Sequence, residues 1–165
     1  MQTDKTTAAN RDAVPERPFP DGSSAYVLAE RCAWHLLEKR MEDIVILDLR
    51  GRSDVCDYFV IASGAADTQV QAAARYTQDE TVSAGHKARA VEGMREGRWV
   101  LIDFFDVVVH AFHVKTREYF QLDRLWGDAP RLELTPEWFA LPETAGRHPD
   151  LRFTTARPDA ADRET

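Results

Sequence analysis

The chain has 165 residues, which suits one domain of ordinary size and leaves too little for two. Hydrophobic residues make up 44% and charged residues 30% of the chain, so a packed core needs no disulfide or metal. The net charge of −7 argues against a protein that mainly holds nucleic acid through its phosphates and favours a basic protein surface as partner.

The first 22 residues are polar, contain three prolines close together and show no apolar period, so we predict a disordered N-terminal arm over residues 1–22. Their four acidic residues are not typical of a secretory or organellar leader, and no apolar run approaches the 18 residues of a membrane span. Cys32 and Cys56 lack Cys-x-x-Cys spacing, which favours two reduced, buried thiols. We therefore expect a cytoplasmic protein.

A domain that mixes helices and strands is predicted over residues 23–134. Ser23 or Ser24 can cap a first helix that runs to about Arg40. Two continuous apolar runs then predict buried strands over residues 44–49 and 58–63. Thr68 and Gln71 fit a capping box near the start of a second helix, which Gly85 ends.

Three more strands and a last helix follow. After a short strand near residues 87–92, strands over 99–104 and 107–114 are so close that they form an antiparallel hairpin. Thr116 can cap a helix from Arg117 to about Leu125. The order α-β-β-α-β-β-β-α predicts an α+β or loosely α/β fold, one mixed sheet flanked by helices. Residues 135–165, with four prolines, are predicted to be a largely irregular C-terminal extension.

Residues that could carry catalysis or bind a metal are few and lack a signature. His110 and His113 are three apart in a predicted strand and would point to opposite faces, so no metal site is predicted. Asp48, Asp57 and Asp103 fall at strand ends, where carboxylates can converge on Mg²⁺, although such aspartates are also ordinary turn residues. A magnesium-dependent, nucleotidyltransferase-like enzyme stays an alternative; no cofactor is predicted.

The outer face of the strand over residues 99–104 is the more informative feature. Trp99, Leu101 and Asp103 share one face of this strand. The other face carries Val100, Ile102 and Phe104. If that second set faces the helices, Trp99 and Leu101 lie outward or at an edge, where a tryptophan is a favoured anchor for a protein partner. The alternative is that Trp99 belongs to the core.

Four segments resemble, in order and spacing, the ribosomal silencing factor family, also called the Iojap-like family. They are DIVILDLRGRSDVCDYFVIASG (43–64), EG (92–93), WVLIDFFDVVVHAF (99–112) and REYFQLDRLW (117–126). The resemblance runs from about residue 24 to residue 134. It implies a mixed sheet with flanking helices, similar to the nucleotidyltransferase fold without its catalytic signature, in agreement with the predicted order of elements.

The function implied by the resemblance is that of a non-enzymatic repressor of translation. Members of the family bind the large ribosomal subunit through its protein number fourteen. They thereby block the small subunit from joining, which silences translation when nutrients are short. Free members are often homodimers, and a module that mainly forms homodimers through the same apolar patch is a second alternative. Neither a cofactor, nor a membrane, nor a dominant direct contact with nucleic acid is implied.

The resemblance also implies a set of residues that contact the partner. They are Trp99, Leu101, Asp103, Phe104, Phe105, Asp106, His110, Arg117, Tyr119 and Phe120. We expect Trp99 to be the central anchor, with Tyr119 and Phe120 widening the apolar patch. Asp103 or Asp106 is expected to meet basic residues of the partner.

Three positions depart from the family pattern. Phe105 stands where relatives usually have glycine, so it will be strained if the turn requires a positive φ. Phe120 stands where a tyrosine is common, which removes a hydroxyl group. Asp123 replaces the usual glutamate near the end of the last motif.

Overall fold

The computed structural model describes residues 23–141. The arm predicted over residues 1–22 lies outside the described residues, as do residues 142–165 of the predicted C-terminal extension. Within the described part, no helix is long and apolar enough to cross a membrane.

One six-stranded mixed sheet organises the chain. In chain order the elements are α1 (Ser24–Glu38), β1 (Glu42–Asp48), β2 (Tyr58–Gly64), α2 (Asp67–Ser83), β3 (Ala90–Glu92), β4 (Trp99–Asp103), β5 (Val107–His113), α3 (Val114–Phe120), α4 (Leu122–Leu125), β6 (Arg131–Leu134) and α5 (Pro136–Phe139). The strand order across the sheet is β3-β4-β5-β2-β1-β6. Strands β2 and β5 are parallel and the other neighbours are antiparallel. The predicted α+β class with a single mixed sheet is confirmed.

Helices α1 and α2 pack together on one face of the sheet. Ser23 caps α1, because its hydroxyl oxygen accepts a hydrogen bond of 3.2 Å from the backbone N–H of Tyr26. The predicted apolar stripe of α1 lies in the core, where Leu28, Cys32 and Leu36 are buried. This face therefore holds the larger part of the hydrophobic core.

Side-chain alternation divides β4 between the two faces of the sheet. Val100 and Ile102 are fully buried beneath the helices. Trp99 and Leu101 point to the other face, where each is half-buried beside a smaller apolar cluster. Trp99 and Leu101 thus lie outside the helix-covered core, as expected once Val100 and Ile102 face the helices, because residues of a strand alternate strictly between its faces.

The start of α2 differs from the prediction. The residue before the helix is Ala66, and no side chain caps the helix there. Gln71, predicted to complete a capping box with Thr68, instead donates hydrogen bonds to the carbonyl groups of Met94 and Arg95, at 3.0 and 2.8 Å. The predicted capping box of Thr68 and Gln71 is therefore wrong. The side-chain amide of Gln71 binds backbone carbonyl groups of another segment instead of the start of its own helix. At the other end, Gly85 follows the helix with φ +95, as expected of a helix terminator.

The last predicted helix is divided into α3 and α4. Helix α3 begins at Val114, earlier than predicted, and its cap is His113, whose Nδ1 accepts a 3.0 Å hydrogen bond from the backbone N–H of Lys115. Gln121 has φ 52 and ψ 48, a left-handed conformation that ends α3. The predicted cap at Thr116 and the continuous helix to Leu125 are both wrong for this reason.

Two elements near the C-terminal end were not predicted from the sequence. Strand β6 pairs antiparallel with β1 and extends the sheet at that edge. Helix α5 follows it, with Thr135 as its cap. Phe139 of α5 is buried, and its ring lies edge-on to Trp34 of α1 at a centroid distance of 5.2 Å. The first residues of the predicted extension thus complete the core on the helix-covered face.

Candidate functional site: an aromatic surface on the sheet

The sheet face opposite α1 and α2 carries a continuous group of large apolar side chains. We call it the aromatic surface and define it by Phe59, Trp99, Leu101, Tyr119, Phe120, Leu122 and Trp126. Strands β2 and β4 supply three of these residues, helices α3 and α4 supply three more, and Trp126 follows α4. The surface therefore combines a sheet with a short helical segment that crosses part of it.

Trp99 lies at the centre of the aromatic contacts. Its ring centroid is 4.7 Å from that of Phe112, which is buried on β5, and 5.0 Å from that of Phe120 on α3. Trp99 and Phe112 are direct partners in the pairing of β4 with β5, so backbone register brings these two rings together. The indole thus rests on a buried ring and is flanked by an exposed one.

The outer part of the aromatic surface is open to solvent. Phe120 is 53% exposed and Tyr119 is 80% exposed, and their rings lie edge to face at 5.0 Å. Leu125 of α4, a turn further on, is also exposed. Contiguous exposed aromatic side chains are uncommon on a free protein and mark a surface that another molecule covers.

Arg117 holds the α3–α4 segment against the sheet. Its guanidinium donates to both carboxylate oxygens of Asp123, at 3.1 and 2.7 Å. It also donates to the backbone carbonyl of Asp43, at 2.7 Å, and to the hydroxyl of Ser63, at 2.9 Å. Burial raises the pKa of Asp123, but the hydrogen bonds and positive charge of Arg117 outweigh burial and hold that pKa below its ordinary value. Arg117 is thus engaged within the chain.

His110 lies beneath the aromatic surface on β5 and is buried. Its Nδ1 accepts a 3.1 Å hydrogen bond from the indole N–H of Trp99. Its ring meets Phe59 edge-on at 4.4 Å. Burial lowers the pKa of His110 to about 4, against a smaller opposite effect of the Asp123 charge, so the ring is neutral near pH 7.

The turn between β4 and β5 lies at the far end of β4 from Trp99. Phe105 in this turn has φ 84, which strains a side chain other than glycine, and it is exposed. The carboxylate of Asp103 accepts a hydrogen bond of 2.7 Å from the backbone N–H of Phe105 and pairs with Arg89 at 2.9 Å. The expected strain at Phe105 is therefore present, and a local hydrogen bond helps to hold the turn.

The predicted site residues do not all come together. Four of them share the aromatic surface: Trp99, Leu101, Tyr119 and Phe120. Asp103 lies about 13 Å from Trp99 along β4, by the rise of four strand residues, and Phe105 and Asp106 lie in the turn beyond it. Phe104 packs against the core beneath α1 and α2 and is absent from the aromatic surface. His110 and Arg117 face the interior and make contacts within the chain.

Three members of the aromatic surface were missed by the sequence analysis. Phe59 could have been found, because alternation along β2 places it on the face opposite Tyr58 and Val60. Its ring lies 6.2 Å from that of Trp126, which follows α4. No strand alternation of this kind marks Leu122 or Trp126 in the sequence. They follow Gln121, whose left-handed backbone changes the direction of the chain before α4.

Asp48 and Asp103, two of the three carboxylates of the alternative enzyme, do not meet at one point. Asp48 is fully buried on the helix-covered side of β1, and Arg50 binds it at 2.9 and 2.8 Å. Asp103 points to the opposite face on β4, and β2 and β5 separate the two strands. Among residues 23–141, no group of three histidine, cysteine or acidic side chains could hold a metal ion.

A groove of about 700 Å³ lies on the other side of the α3–α4 segment, between it and the edge formed by β1 and β6. Both signs of charge line it. The charged lining residues are Asp43, Arg117, Glu118, Asp123, Arg124, Arg131 and Glu133. Because arginines and carboxylates are nearly balanced, the groove favours neither an anionic nor a cationic ligand.

The fold defines an α+β protein in which two helices cover one face of a mixed sheet and the other face carries the aromatic surface. A sequence model of the family described as "Ribosomal silencing factor during starvation" matches residues 22–162. The chain belongs to this family, and the resemblance seen in the sequence is confirmed.

Individual relatives agree with this assignment. The chain is 50% identical over 97 residues to a ribosomal silencing factor of Bacillus subtilis, a match that covers 59% of this chain and 82% of the relative. It is 43% identical over 97 residues to the ribosomal silencing factor of Halalkalibacterium halodurans, covering 59% and 83%. A crystal structure from Bacillus halodurans superposes with a TM-score of 0.58 at 37% identity, covering 65% of this chain and 97% of that one. These matches place the chain among proteins that regulate translation at the ribosome.

Proposed function

We propose that this protein represses translation by binding the large ribosomal subunit at its protein number fourteen and by blocking the small subunit from joining when nutrients are limiting. The observation that carries this proposal is the half-buried Trp99, held between the buried ring of Phe112 and the exposed ring of Phe120. Membership in the silencing factor family supports a role on the ribosome.

The aromatic surface has the properties of a docking site for a protein. Tryptophan and tyrosine are enriched among the few residues that dominate binding energies, and they act best at the centre of a well-packed patch. Trp99 is central here, while Tyr119 and Phe120 extend the patch with exposed rings. A contact of standard size would cover about 800 Å² of each partner.

Charge supports a basic protein partner. The chain has a net charge of −7. Asp103 shares its face of β4 with Trp99 and Leu101, and Asp106 lies in the turn that follows β4. We propose that the contact extends along β4 to this turn, where Asp103 or Asp106 meets cations of the ribosomal protein. Such a contact requires no catalysis, because a protein bound there prevents the small subunit from joining simply by occupying its binding surface on the large subunit.

Sedimentation with purified large subunits tests the anchor. The wild-type protein should migrate with the subunits, and Trp99→Ala should weaken the binding by roughly thirtyfold or more, as expected of a central anchor. Val82→Ala is a matched control, because Val82 is an exposed apolar residue of α2, on the other side of the sheet. Equal binding by wild type and Trp99→Ala would refute the proposed surface.

Two further measurements define the partner and the mechanism. The isolated ribosomal protein number fourteen should bind the wild-type protein, and preincubation with it should prevent the protein from associating with large subunits. Adding small subunits should then give fewer joined ribosomes in the presence of wild-type protein than with Trp99→Ala. A loss of three or more decades in affinity between low and moderate salt would instead indicate many contacts to phosphate groups.

A homodimer through the same aromatic surface is the second candidate, because the free chain exposes Tyr119, Phe120 and Leu125. Dimerisation and ribosome binding would then compete. Light scattering at rising protein concentration measures the dimer, and addition of large subunits should dissociate it. A dimer that Tyr119→Ala and Phe120→Ala leave unchanged would use another surface.

A further inference from the structure

The hydrogen bond between Trp99 and His110 fixes the chemical state of the histidine ring. An indole nitrogen can only donate, so Nδ1 of His110 must be the acceptor in the 3.1 Å contact. In the neutral ring the proton then lies on Nε2. A doubly protonated ring would have no acceptor to offer, and the hydrogen bond would be lost. The geometry therefore requires the neutral tautomer with its proton on Nε2.

The surroundings of His110 hold its ring in place and keep it from solvent. The ring lies edge-on to Phe59 at 4.4 Å and parallel to Phe112, with an interplanar angle of 15°. The residue is 4% exposed. Its Nε2 is buried and has no hydrogen-bond partner among residues 23–141. A docking partner cannot reach this ring without displacing its neighbours, so any effect of His110 on binding must pass through another residue.

The residue through which it can act is Trp99. A half-buried indole on a sheet surface can rotate about two side-chain bonds, and fixing such a side chain on binding opposes association. Here the indole N–H is anchored before any partner arrives, and one face of the ring rests on Phe112. The partner then meets an indole whose orientation is set and whose polar atom is already satisfied.

We infer that His110 is a positioning residue of the docking surface: its Nδ1 orients the indole of Trp99 for the partner, and His110 itself touches no partner atom. This role rests on the proposed function, because it concerns the same contact. It gives a different role to a residue that the family resemblance placed among those that contact the partner.

Two substitutions separate the acceptor from the ring volume. In His110→Asn the side-chain carbonyl oxygen can take the place of Nδ1, so the hydrogen bond to Trp99 is kept. In His110→Phe the ring volume is kept and the acceptor is lost. We expect His110→Phe to bind large subunits roughly tenfold more weakly than wild type. His110→Asn should bind within about threefold of wild type, since it preserves the acceptor.

A double-mutant cycle removes effects on overall stability from this comparison. Trp99→Phe keeps an aromatic ring and lacks the N–H, so it has nothing to donate to His110. In that background His110→Phe should weaken binding by less than about twofold further, because the interaction it removes is already absent. An unchanged tenfold effect in the Trp99→Phe background would overturn the positioning role.

The indole N–H resonance of Trp99 supplies a signature that general stability does not move. With ¹⁵N-labelled tryptophan, this resonance is assigned by its loss in Trp99→Phe. In wild type it should exchange slowly with solvent and shift with pH as His110 titrates, and in His110→Phe it should exchange rapidly. Rapid exchange in the wild type would overturn the inference.

Failure of the inference can be distinguished from failure of the proposed function. If Trp99→Ala binds subunits as wild type does, the proposed function fails, and the role of His110 fails with it. If Trp99→Ala binds weakly while His110→Phe, shown to be folded by circular dichroism, binds as tightly as wild type, the positioning role alone is refuted.

Discussion

Arg117 and Asp123 form a two-pronged ion pair that joins α3 to α4, with nitrogen–oxygen distances of 3.1 and 2.7 Å. The same guanidinium reaches the carbonyl of Asp43 on β1 and the hydroxyl of Ser63 on β2. One side chain thus connects two helices with two strands. Since no residue of α3 is buried, this polar connection, together with the contact of Phe120 with Trp99, holds the helix in place.

Removal of Arg117 should loosen the α3–α4 segment. Arg117→Ala removes the donor to Ser63 and to the carbonyl of Asp43 and leaves Asp123 with the longer ion pair to Arg131, at 3.7 Å. We expect the free energy of unfolding to fall by about 2 kcal/mol. Arg117→Lys should recover only part of this loss, because an ammonium group cannot pair with both carboxylate oxygens and reach β1 and β2 together. Urea unfolding followed by circular dichroism measures both variants. Equal stability of wild type and Arg117→Ala would refute this structural role.

Asp123 should make the protein more sensitive to acid. Its folded-state pKa lies below the ordinary value of 3.8 because Arg117 outweighs the effect of burial. The ionised Asp123 stabilises the folded protein fully above the pKa that this carboxyl has in the unfolded chain. This stabilisation is lost as the pH falls through the lower pKa that it has in the folded protein. Asp123→Asn should therefore be less stable than wild type at pH 7, and the difference should shrink below about pH 4. A difference that stays constant down to pH 2 would contradict this account.

Alternation along strands predicted much of the site. The strict period of two separated Val100 and Ile102 from Trp99 and Leu101, and the structure buries the first pair beneath the helices. Such a pattern is local, so a sequence shows it directly. The role of Arg117 has no local signal, because Ser63 and Asp43 precede it by 54 and 74 residues. Only the folded sheet brings these groups to its guanidinium.

The division of the last predicted helix into α3 and α4 is a second feature that the sequence did not reveal. A possible cap at Thr116 predicted one helix starting at Arg117, whereas His113 provides the cap and Gln121 breaks the helix with φ 52. Left-handed backbone is usual for glycine and asparagine, so a glutamine gives no warning of it. The contacts of Arg117 with Asp123 across this break favour it, and such contacts become visible only in three dimensions.

His110 should produce a second, separate pH dependence. Its pKa is about 4 when folded and close to 6.5 when unfolded, because burial disfavours the charged ring. Between these values the unfolded chain binds more protons, so stability rises with pH across this window. The 2.5-unit difference corresponds to roughly 3 kcal/mol lost between pH 6.5 and pH 4. His110→Asn, which does not titrate, should lack this part of the slope in urea unfolding at pH 4, 5, 6 and 7. Identical slopes would contradict the assignment.

Both cysteines should be unreactive in the folded protein. Burial raises the pKa of the Cys32 thiol to about 12 and that of the Cys56 thiol to about 12, so almost no thiolate is present at pH 8. Iodoacetamide should therefore modify neither residue of the native protein and should modify both in urea. Mass spectrometry of Cys32→Ser and Cys56→Ser separates the two sites. Rapid native modification of either would show that its segment opens locally.

Two glycines with similar backbone angles should respond very differently to alanine, because only one of them lies against Trp99. Gly93 and Gly85 have φ +82 and +95, so either substitution places a side chain in a disfavoured conformation. A Cβ on Gly85 would meet no atom within 4 Å, whereas one on Gly93 would lie 2.0 Å from the backbone oxygen of Trp99.

Gly85→Ala should therefore lower the free energy of unfolding by about 1 kcal/mol and leave ribosome binding unchanged. Gly93→Ala forces the first residue of β4 to move, so it should lower stability by more and also weaken binding to large subunits. The indole resonance of Trp99 should shift in Gly93→Ala and stay in place in Gly85→Ala. If the two variants lose the same stability and bind equally well, the close approach of Gly93 to Trp99 has no effect on the docking surface.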